Sequence, residues 1–425
     1  MQKKTVRDID VRGKRILLRA DLNVPIDDGR ITDDTRIRAS LPTLVYLLEQ
    51  GASVVLASHL GRPKGKVNDA LRLKPVADRL GQLLGRPVRM TGDALGPGVL
   101  TAVEKLRPGD MLLLENLRFH AEEEANDPGF AKSLADLADI YVDDAFGSAH
   151  RAHASTEGIT HYLPSVAGLL MEREVSALSR LMQKPPKPFH TVIGGAKVSG
   201  KLEVLESLLS RCQAILVGGG MANTFLAARG LALGKSLVES EQLENAERIV
   251  SEARRKRVRF MLPTDVVIAA QIHPRSQRQV VPVEQVPKDW SIVDIGPQTL
   301  AAYTEHLSKA KTIFWNGPMG IFEIAAFAEG TNAMARFLAE RSRAGVVTVV
   351  GGGDSVAAVD QLGLADQMSH VSTGGGASLE FVEGKKLPGV EALMDADDPT
   401  PPARKQPKST AVPIASARLA ARRRR

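Results

Sequence analysis

The sequence predicts an α/β protein built mainly from parallel β-sheets, and two observations support this prediction. Short apolar segments alternate along the chain with stretches of helical periodicity, as expected for strand–helix–strand units. The apolar segments are continuous rather than alternating, which is typical of strands covered on both faces. The predicted strand segments are 15–24, 53–60, 111–119, 139–146, 189–195, 214–220, 312–318 and 345–353. The predicted helices are 35–50, 73–84, 129–138, 199–211, 240–256, 298–309 and 331–343.

The length of the chain indicates more than one domain. It has 425 residues, of which 43% are hydrophobic and 25% are charged, which suggests about two or three domains of roughly 150 residues. A proline-rich spacer, KPPKP at 184–188, follows a helical pattern at 166–182. Because proline disfavours helix on its N-terminal side, we predict a domain junction there, with that helix as the connector.

The net charge of +7 is concentrated in one segment. Residues 399–425 contain eight basic residues and no acidic ones, so the rest of the chain is close to neutral. A near-neutral body with 4% aromatic residues argues against a nucleic-acid-binding protein. From 395 onward the sequence lacks periodicity and predicts a disordered basic tail. Such a tail would make at most a weak, salt-sensitive anionic contact.

The single cysteine and the lengths of the apolar runs indicate the cellular compartment in which the protein is expected. Cys212 has no partner for an intrachain disulfide, and its place beside an apolar strand predicts a buried thiol. The first residues, MQKKTVRDIDVRGKR, lack the apolar core of a signal peptide. No run reaches the ~18 apolar residues that a membrane span needs. We therefore expect a cytoplasmic protein without membrane contact.

The residues that follow the predicted strands of the first half are polar and mostly cationic. They are Arg19, Asp21, Asn23, His59, Arg62, Arg118 and Arg151, and Arg36 follows an acidic helix start. In open α/β sheets ligands bind beyond the carboxyl ends of the strands, and guanidinium groups bind carboxylate and phosphate in a bidentate manner. These positions therefore predict a site for a small, multiply anionic ligand. Each arginine taken alone has a simpler interpretation as a surface ion-pair partner.

Three histidines near these arginines raise the alternative of a zinc site. His59, His150 and His153 are candidate ligands, but the sequence has no HExxH pattern and no cysteine close to them. Anion contact or a structural role is the favoured interpretation.

Glycines dominate the strand ends of the second half. Gly194-Gly195 and the triplets 218–220, 351–353 and 374–376 follow apolar segments. Glycine lets backbone N–H groups approach a phosphate closely, so several such loops on one sheet predict a nucleotide site. Any one triplet is equally consistent with a tight turn. Asp354, next to a triplet, is a candidate Mg²⁺ ligand because Mg²⁺ favours one or two carboxylates together with phosphate oxygens.

The segment GAKVSGKL at 195–202 matches the first seven positions of the P-loop motif GxxxxGK[ST], but not the eighth. Leu202 stands where Ser or Thr should bind Mg²⁺. Lys197 and Lys201 remain candidates for phosphoryl contacts, and the alternative for each is a solvated lysine at a helix start.

Ten segments resemble one known family and occur in the order in which that family carries them. They are RADLNVP (19–25), SHLGRPKG (58–65), ENLRF (115–119), DDAFGSAHRAHAS (143–155), GGAKVSGK (194–201), GGGMANTF (218–225), DIGPQT (294–299), WNGPMGIFE (315–323), GGGDS (351–355) and STGGGASLEF (372–381). In these segments the chain resembles the phosphoglycerate kinases, over roughly residues 5–394.

The resemblance implies two Rossmann-like domains joined by a connecting helix and a hinge. The implied divisions are an N-terminal phosphoglycerate-binding domain at 1–169, a nucleotide-binding domain at 170–378 with its connecting helix at 170–184, a segment at 379–394 that returns to the first domain, and the tail at 395–425. The implied protein is a monomeric enzyme of glycolysis. It transfers a phosphoryl group reversibly between 1,3-bisphosphoglycerate and ADP, giving 3-phosphoglycerate and ATP, with Mg²⁺. The implied transfer is direct and in line, after the domains close.

The resemblance also assigns roles to residues. The implied substrate-binding residues are Arg19, Asp21, Asn23, Arg36, His59, Leu60, Gly61, Arg62, Arg118 and Arg151. The implied ATP/ADP-binding residues are Gly195, Lys201, Gly219, Pro318, Glu323, Gly352, Gly353, Asp354 and Ser355, with Asp354 on the Mg²⁺ ion. The groups around the transferring phosphoryl would be Arg36, Lys197, Lys201, Gly375 and Gly376.

Three positions depart from the family pattern. Asp143 stands where asparagine is usual, Gly200 where a polar residue is common and Ser355 where threonine also occurs. We expect the negative charge of Asp143 to weaken anion binding slightly. A nucleotide-dependent dehydrogenase is the rival enzyme class. It would need the pattern GxGxxG after the first strand of a βαβ unit, but GGGMAN at 218–223 has Asn223 in place of the last glycine.

Overall fold

Strands and helices alternate along most of the chain, as the sequence predicts. The computed structural model describes residues 2–399. The strands are β1 (Arg15–Arg19), β2 (Ile26–Asp27), β3 (Arg30–Ile31), β4 (Ser53–Ala57), β5 (Arg89–Met90), β6 (Met111–Leu113), β7 (Ile140–Asp143), β8 (Ser165–Ala167), β9 (Phe189–Ile193), β10 (Ala214–Val217), β11 (Arg259–Met261), β12 (Asp265–Ala269), β13 (Arg278–Pro282), β14 (Ser291–Ile295), β15 (Thr312–Asn316), β16 (Val347–Gly351) and β17 (His370–Val371). The α-helices are α1 (Thr35–Glu49), α2 (Lys74–Leu84), α3 (Pro97–Glu104), α4 (Ala121–Glu124), α5 (Pro128–Ala135), α6 (Leu169–Gln183), α7 (Leu202–Leu209), α8 (Gly219–Ala227), α9 (Leu243–Arg255), α10 (Pro297–Leu307), α11 (Glu329–Arg343), α12 (Gly353–Gln361), α13 (Gly376–Glu383) and α14 (Pro388–Glu391).

Two six-stranded parallel sheets organise the molecule. The first has the strand order β5-β6-β4-β1-β7-β8 and the second has the order β11-β10-β9-β15-β16-β17. Every neighbouring pair in both sheets is parallel. All residues of β4, β9 and β15 are buried, which explains their continuous apolar sequences. The predicted α/β class with mainly parallel sheets is confirmed.

The connecting helix begins later than its sequence pattern suggests. The pattern at 166–182 runs across the end of β8, and α6 starts at Leu169. The carboxylate of Asp144 accepts hydrogen bonds from the N–H groups of Leu170 and Met171, at 2.9 and 3.2 Å. This cap at the helix start satisfies free backbone donors, so the first residues of the pattern pair as a strand instead.

A three-stranded antiparallel sheet, β13-β12-β14, was not predicted. Its middle strand is mostly buried, but β13 is largely exposed. An exposed strand has no need of an apolar sequence, so this one gave no signal. The sheet matters for function because β14 ends beside the second-half site.

The chain crosses from the first parallel sheet to the second and later returns to the first. Glu174 of α6 accepts hydrogen bonds from the N–H and the hydroxyl of Thr373, at 2.7 and 2.9 Å, and lies 2.8 Å from Nε2 of His370. Farther along, Gly389 donates to the carbonyl of Ala149 at 2.9 Å. The chain has then returned to the first sheet.

The last described residues pair with the first ones. The N–H of Lys4 donates to the carbonyl of Met394 at 2.8 Å, and the ammonium of Lys3 lies 2.8 Å from a carboxylate oxygen of Asp395. The basic tail predicted at 395–425 therefore has its first residues within the described part of the chain. From 400 onward it lies outside the described residues.

The thiol of Cys212 is buried, as predicted, with 4% of the residue exposed. Burial raises the pKa of Cys212 to about 12. Within residues 2–399, the helices are all too short or too polar to cross a membrane.

Candidate functional site

A buried guanidinium lies at the centre of the first-half site. Arg19 is the last residue of β1 and is fully buried. Its Nε donates to Oγ of Ser155 at 2.9 Å, and its Nη2 lies 3.0 Å from Nδ1 of His59. Oγ of Ser155 in turn donates to the buried carboxylate of Glu123 at 2.6 Å. Ser155 and Glu123 therefore fix the orientation of the Arg19 side chain.

Arg36 joins the same site from the first turn of α1. Its Nη1 lies 3.0 Å from Oδ2 of Asp21 and 3.2 Å from the carbonyl of Asn23. The side-chain oxygen of Asn23 accepts from the N–H of Gly61 at 2.8 Å. The polar residues after β1 thus link the start of α1 to the loop that follows β4.

Arg118 contributes a buried guanidinium with free hydrogen-bonding capacity. It is 5% exposed, and its Nη1 donates to the carbonyl of Gly61 at 3.0 Å. Its Nε has no hydrogen-bond partner within the described chain, apart from an ion pair at 3.4 Å with Glu124. Burial and the charge of Arg19 lower the pKa of Arg118. Two buried guanidinium groups are therefore close enough for their charges to repel each other, which an anion bound between them would relieve.

Burial and the neighbouring arginines also lower the pKa of His59. The pKa of His59 is held well below its usual range, by burial first and then by Arg19 and Arg118. A neutral His59 can accept a hydrogen bond from Arg19 at Nδ1. No group of three or more His, Cys, Asp or Glu residues with metal-binding geometry occurs within 2–399.

The remaining predicted substrate residues differ in their placement. Arg62 is exposed, and Nε of Arg151 lies 3.2 Å from Nε2 of His150. Leu60 is 2% exposed, and both its backbone polar groups bond to the side chain of Asn116. The side chain of Asn116 therefore holds Leu60 and its loop in place.

Asp143 is buried at the end of β7, beside Arg19 in the strand register. Burial raises the pKa of Asp143 to about 7. Near neutral pH the carboxyl is therefore partly protonated, and its opposition to the arginines is smaller than a full negative charge would give.

A cavity of about 450 Å³ lies at the carboxyl ends of the second sheet. The predicted residues that line it are Gly195, Gly219, Pro318, Glu323 and Asp354. Gly219 lies so close to the backbone of Gly195 and Pro318 that a Cβ would be 2.7 Å from their atoms. Only glycine fits there. At this start of α8 the N–H of Gly219 donates to the carbonyl of Met319 and the N–H of Met221 to the carbonyl of Gly195, at 2.8 and 2.9 Å.

Lys201 lies next to this cavity, held by three oxygens. Its Nζ donates to the carbonyl of Gly194 at 2.7 Å, and to the carbonyl and side-chain oxygen of Asn316 at 3.1 and 2.5 Å. Burial lowers the pKa of Lys201 to about 8, and Asp354 partly opposes that shift. Lys197, the other predicted lysine, is exposed.

The glycine triplets precede helices. Gly352 and Gly375 have positive φ angles of 89° and 53°, and α12 and α13 begin directly after them. Gly353, Gly376 and Asp354 therefore lie in first turns, where N–H groups point outward. Oγ of Ser355 is turned inward and accepts from the N–H of Gly317 at 2.5 Å.

The third glycine triplet, 374–376, lies close to the arginine site of the first half. Gly147 follows β7, and a Cβ on it would collide with the carboxylate of Asp21 and lie 3.7 Å from the carbonyl of Thr373. Thr373 directly precedes the 374–376 loop. That loop therefore borders the residues after β1, although it follows a strand of the second sheet.

Several site residues escaped the sequence analysis. Ser155 and Glu123 orient Arg19, and Asn316 holds Lys201. Asn316 ends a predicted strand inside WNGP, and the strand-end argument applied to asparagine would have found it. The apolar wall of the cavity includes Leu237 and Ile272, which are 49% and 60% exposed. Exposed apolar residues give no sequence signal for a site.

The sequence model described as phosphoglycerate kinase matches residues 6–385 of this chain. The chain belongs to the phosphoglycerate kinase family. The phosphoglycerate kinase of Pelotomaculum thermopropionicum is 54% identical over 395 residues, covering 93% of this chain and 100% of the relative. That of Chloroflexus aurantiacus is 56% identical over 400 residues, with the same coverages.

Solved structures show the same similarity. The phosphoglycerate kinase structure from Coxiella burnetii matches with a TM-score of 0.82 at 43% identity, covering 92% of this chain and 98% of that one. The structure from Pyrococcus horikoshii also gives 0.82, at 35% identity with the same coverages. The chain is a glycolytic kinase that transfers a phosphoryl group between 1,3-bisphosphoglycerate and ADP. Nucleotide and Mg²⁺ use is general in this family, and the dehydrogenase alternative is wrong.

Proposed function

We propose that the arginine site binds 3-phosphoglycerate and that the cavity of the second sheet binds ATP or ADP. The observation that carries the first assignment is the buried Nε of Arg118, which lacks a hydrogen-bond partner among the described residues. Its contact with Glu124, at 3.4 Å, is longer than an ordinary N–H···O hydrogen bond, and a phosphate or carboxylate oxygen would satisfy this buried donor better. Arg19, Asn23, Arg36, His59, Arg62 and Arg151 would complete the contacts, with Asp21 and the Leu60–Gly61 backbone positioning them.

The nucleotide assignment is supported by the chemistry of the cavity walls. The N–H groups in the first turn of α12 suit phosphate oxygens. The apolar side of the cavity, with Leu237 and Ile272, suits a base. Glu323 is exposed at the rim, where it can accept hydrogen bonds from ribose hydroxyls.

Asp354 fits the role of a magnesium ligand. Its carboxylate is exposed, lines the cavity and sits in the first turn of α12. Mg²⁺ takes few protein carboxylates when substrate phosphates supply the other ligands. A bound Mg²⁺ would neutralise phosphate charge, and Asp354 would hold it.

The transfer would be direct and in line. An oxygen of the 3-phosphoglycerate carboxylate forms a bond to the γ-phosphorus of ATP while the bond to the ADP oxygen breaks. The protein supplies positioning and positive charge in such a reaction. Arg36, Lys197, Lys201 and the N–H groups of Gly375 and Gly376 would stabilise charge on the transferring group.

Closure of the two domains would bring the reactants together. The arginine site lies on the first sheet and the cavity on the second, and the 374–376 loop borders both regions. Closing would exclude water and so suppress ATP hydrolysis. A coupled assay with 3-phosphoglycerate, ATP and Mg²⁺ tests the activity. No turnover in that assay would refute the function.

We further infer a cytoplasmic monomer. The near-neutral body of the chain offers no extended basic surface to nucleic acid. The tail at 395–425 would add at most a weak anionic contact.

A further inference from the structure

A long loop forms one wall of the nucleotide cavity. It connects β15 to α11, and its residues Pro318, Ile321 and Glu323 line the cavity. Over this stretch, all of it described, regular structure is limited to a 3-10 turn at Ala325–Phe327. The shape of this wall therefore depends on contacts from other elements.

One buried carboxylate meets this loop at both of its ends. Asp294 lies near the end of β14 and is 2% exposed. Its Oδ2 accepts from the N–H of Gly330 at 2.6 Å, in the first turn of α11. At the other end, Gly320 packs against the same group, so that a Cβ there would lie 2.6 Å from Cγ of Asp294.

The preceding residue of β14 adds a third contact. The carbonyl of Val293 accepts from the N–H of Ile321 at 2.9 Å. The end of β14 therefore contacts Gly320, Ile321 and Gly330 in turn. The residues between Ile321 and Gly330, which include Glu323, are therefore held to β14 at both ends of the segment.

We propose that Asp294 is a positioning residue for nucleotide binding, which fixes the cavity wall through Gly320 and Gly330. This inference rests on the proposed assignment of the cavity to ATP and ADP. A carboxylate at the N-terminus of α11 is favoured by the helix dipole, and its bond to Gly330 is charge-assisted. Loss of the charge would loosen the wall. Because Asp294 itself also borders the cavity, a variant that keeps the carboxylate, Gly330→Ala, is needed to separate the positioning role from a direct contact with the nucleotide.

The surroundings of Asp294 set the conditions for a test. Burial raises the pKa of Asp294 to about 7, and Glu329 of α11 adds to that shift, while the Gly330 and Ile295 N–H groups oppose it. The other charged groups nearby are Asp265 of β12 and, around the cavity, Lys235, Glu323 and Asp354. At about pH 8 the carboxyl is mostly ionised, so measurements there compare the charged group with its replacement.

The test uses Asp294→Asn, which keeps the size of the side chain. We expect the dissociation constant for ADP, measured by calorimetry, and the KM for ATP to rise about fivefold or more. The kcat and the KM for 3-phosphoglycerate should stay within about twofold. Gly330→Ala, which pushes the helix start away from an intact carboxylate, should give the same change and decides the matter if Asp294→Asn does not fold.

Asp265→Asn is the matched control. Asp265 is also 2% exposed in the same sheet, and it accepts from the N–H groups of Thr299 and Gln298 at the start of α10. The residues of α10 do not line the cavity. Asp265→Asn should therefore lower Tm while leaving ADP binding unchanged. Equal effects of the two variants on ADP binding, or no effect of Asp294→Asn, would overturn the proposal.

A third variant separates this proposal from the site assignment. Leu237→Asp places a charge in the apolar wall at a half-exposed position. If Leu237→Asp binds ADP as the wild type does, the cavity is not the nucleotide site and both proposals fall. If Leu237→Asp weakens ADP binding and Asp294→Asn does not, the positioning role alone falls.

Discussion

The Nη2 of Arg19 lies 3.0 Å from Nδ1 of His59, with both residues almost fully buried. The pairing requires a neutral imidazole that accepts at Nδ1, and burial together with the arginine charges favours that form. Behind the pair, Ser155 and Glu123 complete a buried chain of hydrogen bonds. The position of the arginine therefore depends on residues that never reach the ligand.

Ser155→Ala tests that dependence. The change removes the hydroxyl that Nε of Arg19 and Oε1 of Glu123 share, although Glu123 keeps its bond from the backbone N–H of residue 155. We therefore expect the KM for 3-phosphoglycerate to rise about tenfold, equivalent to ~1.4 kcal/mol. The KM for ATP should be unaffected. Ser165→Ala is the control, since Ser165 is also buried but donates to the carbonyl of Leu163. Steady-state kinetics at pH 7 measure both, and an unchanged KM in Ser155→Ala would contradict the supporting role.

Arg36→Ala tests the role of charge in the transfer step. If Arg36 stabilises charge that develops during transfer, kcat should fall by about 10²-fold or more. Arg38→Ala is the control, because Arg38 occupies the same helix but pairs with Asp34 and is exposed. Its kcat should match the wild type. A wild-type kcat in Arg36→Ala would remove Arg36 from the reaction.

Lys201 predicts a dependence of nucleotide use on pH. The pKa of Lys201 is lowered to about 8 by burial, so its ammonium form is lost as the pH rises through that value. The kcat/KM for ATP, which reports the free enzyme, should fall above pH 8. Lys201→Arg should lose this descending limb, because arginine stays charged. Lys197→Arg, at an exposed lysine, should retain it. The same limb in Lys201→Arg would assign the titration to another group.

Two stacked histidines predict a loss of stability in acid. The rings of His190 and His306 are 4.7 Å apart at 19°, and burial and then His306 lower the pKa of His190 to about 4. The unfolded chain, with a histidine pKa of about 6.5, binds more protons between these values. The free energy of unfolding should therefore fall as the pH drops from about 6.5 to 4.

His190→Phe should reduce the slope of that part of the profile in denaturant titrations, since phenylalanine keeps a ring in the buried position. A smaller slope remains, because the lowered pKa of the buried His59 contributes in the same direction. His273→Gln, at an exposed histidine, should leave the profile as it is. A wild-type slope in His190→Phe would show that other groups carry the acid sensitivity.

Domain closure predicts a change in the size of the molecule. With both 3-phosphoglycerate and a nucleotide bound, the radius of gyration from small-angle scattering should decrease, and either ligand alone should give a smaller change. An identical radius in all four states would contradict closure.

Much of this architecture could be predicted from the sequence, because short local patterns mark the strands and the helix starts. Continuous apolar strands and the glycine triplets mark the sheets and the helix starts at Gly219, Gly353 and Gly376 from short segments alone. The unpredicted features depend on distant partners. Glu123 and Ser155 are polar residues in unremarkable segments until the fold places them behind Arg19. The exposed strand β13 lacks an apolar pattern. The helical pattern that starts at 166 begins three residues before α6, because the carboxylate that caps the helix, Asp144, lies before β8 in the chain.

The hydrogen bond between Lys4 and Met394 has a mechanical consequence. It shows that the chain returns to the first sheet after it has formed the second one, so the second sheet is anchored to the first at two places in the chain. Two anchors remove most of the freedom that a single flexible connection would leave. We therefore expect relative motion of the two sheets to be mainly a rotation about the line that joins the two crossings.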